Sequence, residues 1–80
     1  MNWIDDEWGS HATLPGGITA AVTRVGEGFH ATAGGMRITW TPEGQSPRVK
    51  LFESMAAAKA ACVEFLRVAL KEAVAGLESA

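Results

Sequence analysis

The stretch ITAAVTRVGEGFHATAGGMRITW, residues 18–40, carries the reading of the fold. Ile18, Ala20 and Val22 alternate with Thr19, Ala21 and Thr23, the period of a strand with one inward face, and β-branched threonines suit an outer face that meets water. This predicts a first strand over 18–25. Gly26-Glu27-Gly28 tolerates positive φ, and Phe29, Ala31 and Ala33 then alternate with His30 and Thr32, so a hairpin follows. Gly34-Gly35 is a second tight turn, after which Met36, Ile38 and Trp40 alternate with Arg37, Thr39 and Thr41. The meander is expected to bury Ile18, Val22, Phe29, Met36, Ile38 and Trp40, opposite a polar face of Thr23, His30, Thr32, Arg37 and Thr39.

Toward the C-terminus, two prolines and a glycine between Thr41 and Pro47 break the pattern, and Arg48 to Phe52 alternates again as a short fourth strand at an edge. Ser54 stands just ahead of the helix formers Met55 to Lys59, where its hydroxyl can accept an orphan amide hydrogen bond. A helix is expected over 54–78, with Gly76 a point where it frays or ends. At about 100° per residue, Met55, Cys62, Leu66, Ala69, Leu70, Ala73 and Leu77 share one stripe, flanked by Ala58 and Phe65 on one side and Val63 and Val74 on the other. Covering a sheet takes an arc of about 100°. The surplus is read as deeper burial, with a stripe left for another chain as the alternative. Val68 lies outside the arc, and Phe65 with Val68 forms the candidate self-association site.

Toward the N-terminus, MNWIDDEWGSHATLPGG shows neither strand nor helix period and ends in Pro15-Gly16-Gly17, which reads as an irregular arm leading into a turn. The expected organisation is a single domain over 1–80. It comprises an arm over 1–17, an antiparallel sheet over 18–52 and a helix over 54–78. The fold class is α+β: a three- to four-stranded antiparallel meander with one long C-terminal helix on one face.

Eighty residues, 48% hydrophobic, suit one small domain near the size at which a core barely suffices. The opening seven residues have neither a basic nor an apolar region of a secretory signal, and the apolar stretch from Met55 to Leu77 is interrupted by five charges. A cytoplasmic protein with no membrane association is expected. One cysteine, Cys62, offers neither an internal disulfide nor a cysteine-rich zinc site, which suits a reducing compartment. A net charge of −2 lacks the positive field that phosphate binding needs and the dense negative field of a DNA decoy.

Catalytic and cofactor signals are weak. Cys62 with His11 or His30 is the only cysteine–histidine combination, and Cys62 falls on the buried stripe with no cation to lower its pKa. His11, His30, Asp5, Asp6 and Glu7 have no HxH, HxxxH or CxxC spacing that would join two strong ligands on one element. The glycine pairs do not extend to a phosphate loop. No catalytic residue, cofactor or metal site is assigned.

Two local features remain. Trp3-Ile4-Asp5-Asp6-Glu7-Trp8 brackets three acids with tryptophans, which suits a partner-binding site of Trp3, Asp5, Asp6, Glu7 and Trp8, because tryptophan offers rigid apolar area and carboxylates complement a basic patch. The alternative is that both tryptophans fold back onto the core. Replacing Asp5, Asp6 and Glu7 by lysine is expected to weaken partner binding and leave the melting temperature nearly unchanged. The second feature is the outer sheet face, where His30 and Arg37, joined by Arg48 and Lys50, would make a mildly basic surface for nucleic acid.

A meander followed by FESMAAAKAAC, residues 52–62, resembles small proteins of phages and mobile elements, and within these the small anti-CRISPR proteins. That resemblance implies a noncatalytic inhibitor of a type I, in particular type I-C, CRISPR surveillance complex (Cascade). It would act in the host bacterial cytoplasm by blocking target-DNA binding. Asp5, Asp6 and Glu7 are then the acids available to occupy a basic DNA path. Two alternatives are a small nucleic-acid-binding module using the polar sheet face and a self-associating structural phage protein. Direct nucleic-acid binding is not the leading expectation, and the chain is read as monomer or homodimer.

Overall fold

A computed structural model describes residues 2–79. The chain runs β1 (Ile4–Asp6), β2 (Gly9–Thr13), β3 (Thr19–Val25), β4 (Gly28–Ala33), β5 (Met36–Arg37), β6 (Thr39–Trp40), β7 (Arg48–Val49) and α1 (Met55–Ser79). The first five strands form one antiparallel sheet in sequence order, and β6 and β7 form a separate two-stranded ribbon. The α+β meander with one long C-terminal helix is therefore present, with more strands than the alternation predicts.

The arm expected over 1–17 to be irregular is instead a hairpin added to the sheet. Ile4 pairs with His11 and Asp6 with Gly9, leaving Glu7-Trp8 as a two-residue turn, and β2 pairs with β3 from Gly9–Thr23 to Thr13–Thr19. The period is hidden because one side of β1 and β2 carries residues that rarely mark a core. Asp5, Ser10 and Ala12 face the helix, while Ile4 and His11 face away.

Small side chains set the packing. Ala20 and Val22 of β3 face Ala33 and Ala31 of β4, and the helix lays Ala58, Cys62 and Leu66 on them. With so little bulk between the layers, the Cys62 sulfur comes within 3.8 Å of the Ala21 carbonyl oxygen and 3.6 Å of that of Thr32. Half-buried Trp3, Ile18, Phe29, Ile38, Phe52, Met55 and Phe65 form a rim around this thin centre. One helix on one sheet leaves a slab whose shortest dimension is 16 Å. The helix begins as its sequence predicts, with the Ser54 Oγ accepting from the Ala57 N–H at 3.1 Å.

The strand expected over 36–40 is divided. Met36 and Arg37 pair with Ala33 and Thr32, and the Ile38 N–H still reaches the Ala31 carbonyl at 2.8 Å. Thr39 and Trp40 then leave the sheet to pair with Val49 and Arg48. Phe52 takes over the vacated edge of β4, exchanging two 2.9 Å backbone hydrogen bonds with Phe29. The predicted fourth strand is thus split between the ribbon and this bridge. Trp40, expected in the core, is 50% exposed because its strand turns away, and Met36, 63% exposed, lies past the area that the helix covers.

The helix also departs from expectation, continuing through Gly76, and its burial ends at Leu66. Leu70, assigned to the buried stripe, is 44% exposed and Leu77 is 78% exposed, while Ala69 and Ala73 are also exposed. The cause is length. A helix of 25 residues extends about 37 Å, whereas five strands span about 20 Å and the seven-residue β3 about 23 Å. The surplus apolar arc is not deeper burial; it overhangs the sheet.

Candidate functional site

The five residues of the N-terminal candidate site separate into two groups. Asp5, on the helix side of β1, accepts hydrogen bonds from Ser10 Oγ and from Lys59 Nζ at 3.0 Å, and Lys59 also sits 5.4 Å from the centre of the Trp3 ring. Trp3, Asp5 and Lys59 therefore latch the hairpin to the first turns of α1. Asp6 Oδ1 accepts from the N–H groups of Trp8 at 2.8 Å and Gly9 at 3.0 Å, which closes the turn. Glu7 and Trp8 remain at its tip, with Trp8 71% exposed. The Trp8 carbonyl accepts from the Arg24 N–H at 2.8 Å, so the tip is anchored to β3. Ile4, which the sequence reading did not single out, lies exposed on the open side of the same hairpin.

The expectation that all three acids can be reversed without cost is corrected by these bonds: only Glu7 lacks a role in the latch or the turn. The Ser10 hydrogen bond, and after it that of Lys59, holds the Asp5 carboxyl below its ordinary 3.8. A lowered folded-state value means that the latch contributes stability above that ordinary value and loses it as pH falls through the folded one. The melting-temperature difference between wild type and Asp5→Asn should hold steady above about pH 5 and close at lower pH. A difference that widens toward acid contradicts the latch.

Phe65 and Val68, the candidate self-association pair, line an open groove of about 490 Å³ between α1 and the β6–β7 ribbon. Ile38, Trp40 and Phe52 form its other wall, with Lys50, Glu64 and Glu72 at the margins. The groove exists because β6 peels off the sheet after Ile38. A signal for it lay in Trp40 standing two residues before Pro42, where a central strand cannot continue.

The basic sheet face is not assembled as expected. Arg48 belongs to the ribbon, and Lys50 Nζ lies 5.6 Å from the Phe52 ring centre. His30, Thr32, Thr23 and Arg37 do share the uncovered face, and the pairing of β2 adds His11 to it. Thr39 is on the ribbon instead.

Known proteins add nothing to this geometry. No family model, curated protein or solved structure matches the chain. Cys62 is fully buried, and burial pushes its thiol above the ordinary value, which makes it a poor nucleophile near neutral pH. Among the described residues, no three histidine, cysteine or acidic side chains are grouped to hold a metal, and no helix is long and apolar enough to cross a membrane. What the hairpin tip offers chemically is an exposed indole beside a carboxylate on a turn held by the Asp6 carboxylate and the Arg24 N–H.

Proposed function

We propose that this protein is a noncatalytic inhibitor of the small anti-CRISPR kind, which binds a type I surveillance complex and keeps target DNA off it. The reading is supported above all by Trp8, 71% exposed on a turn pinned by Asp6 and by the Arg24 backbone. A buried site would cover that indole, and rigid aromatic anchors carry much of the energy of protein interfaces. Glu7 beside it would face lysine or arginine on a DNA-binding surface and hasten encounter. Steric occupation suits a chain of net charge −2 better than imitation of a phosphate backbone does. The complex lies in the bacterial cytoplasm, so the inhibitor would act there.

The chain should co-migrate with a purified type I surveillance complex and reduce its target-DNA binding. Trp8→Ala is expected to weaken that association about tenfold or more, the effect of truncating an interface anchor. Its melting temperature should stay within about 2 °C of wild type, because an exposed side chain contributes little to folding. DNA binding that is unchanged at saturating inhibitor, together with separate migration, removes the reading.

A further inference from the structure

We propose that the overhanging half of α1 pairs antiparallel with the same segment of a second copy of this chain, giving a two-fold dimer. From Arg67 to Ser79 every residue is exposed, a length of about 20 Å. At about 100° per residue, Leu70, Ala73 and Leu77 continue the direction of Leu66, the residue that seats the helix on the sheet, and Val74 widens the flank that carries Arg67. The stripe that packs the first half of α1 thus runs unbroken past the edge of the sheet, with an empty layer beneath it. A second helix fits that layer, because helices pack about 8–10 Å apart and Ala73 permits the near end of that range.

Charge selects the occupant and its direction. Arg67 and Glu78 lie on the same flank of the apolar stripe, 11 positions apart. In a two-fold antiparallel pair each flank meets the same flank of the other copy. An axis beside Glu72 and Ala73 therefore sets Arg67 of each copy against Glu78 of the other, twice per dimer. The same register seats Leu77 of one copy over the gap between Leu66 and Leu70 of the other. A parallel pair would instead set each flank against the opposite flank of the other copy, so Arg67 and Glu78 would not meet. The register brings the other copy's C-terminal end to the level of Leu66, where the sheet ends, and Arg67 trades its exposed 3.5 Å contact with Glu64 for Glu78 of the other copy. The surface is separate from the hairpin tip, and the two readings stand or fall independently.

Sedimentation equilibrium of the full chain over micromolar to millimolar concentration should give twice the 8.4 kDa of one chain. Leu77→Glu should return a single-chain mass with unchanged far-ultraviolet dichroism. Arg67→Glu should weaken the dimer about fivefold, since two symmetric exposed pairs are lost. Adding Glu78→Arg to it should bring affinity back near wild type. A wild-type mass of one chain throughout, a Leu77→Glu dimer of undiminished affinity, or failure of the charge exchange to rescue each overturns the proposal.

Discussion

Gly9→Ala is expected to remove a large part of the protein's stability, about 2–6 kcal/mol. Gly9 opens β2 with φ at +151°, and a Cβ built on it would stand 1.8 Å from the Val22 carbonyl oxygen and 2.8 Å from its carbon. Neither side can yield. The Val22 carbonyl is part of β3, whose other edge pairs with β4, and the Gly9 amide is tied to Asp6. A side chain forced into this conformation costs roughly 1–3 kcal/mol, and pressing an atom into occupied space adds about as much or more. A domain of this size commands only about 4–12 kcal/mol in all. Gly16→Ala separates the two contributions, because Gly16 has φ +91° yet its Cβ would meet nothing within 4 Å. Urea titration followed by dichroism should show Gly16→Ala modestly weaker than wild type and Gly9→Ala with a far lower midpoint. Equal midpoints for the two variants would mean that the hairpin does not dock on β3 as described.

Leu66→Ala should lower stability by about 2–5 kcal/mol. Leu66 is 5% exposed and supplies the largest aliphatic side chain of a centre otherwise made of Val22, Cys62 and alanines. The surrounding alanines cannot swing inward to fill the space, so the cavity persists. For a domain of this length each kcal/mol corresponds to about 4–8 °C, and the melting temperature should fall by at least about 8 °C. Leu70→Ala, one turn farther along, is the matched comparison. At a concentration low enough for single chains it should change stability by less than about 0.5 kcal/mol, as exposed positions do. Equal losses at Leu66 and Leu70 in dilute solution would show that the sheet reaches farther under the helix than the structure places it.

The contrast between these two leucines shows how much of the fold was legible in the sequence. Both fall on one helical stripe, and helical period reports direction around the axis with no information about where the facing layer stops. Comparing 25 helical residues with strands of seven or fewer would have exposed the mismatch. In β3 and β4 the alternation of Ala20 and Val22 with threonine predicted both the strands and the inward face correctly. At β1 and β2 it was silent, because Asp5 and Ser10 stand where apolar residues usually do. Asp5 is tolerated there through Ser10 and Lys59, the latter 54 positions away, and a partner that distant leaves no local trace. The candidate site was half legible for the same reason. Five residues around the acids were marked by composition, yet which of them fold back and which reach out depended on Lys59 and on the turn.

The sequence by itself determined the class of the fold, the two glycine turns of the central meander, the Ser54 cap and the inward direction of Val22, Cys62 and Leu66. Each is a matter of backbone propensity or of side-chain period within a few neighbours. Only the tertiary structure decided that the first residues extend the sheet, that Trp40 leaves it, and that half of the helix hangs clear. Those outcomes depend on which distant groups meet and on where one layer runs out beneath another, and spacing along the chain records neither.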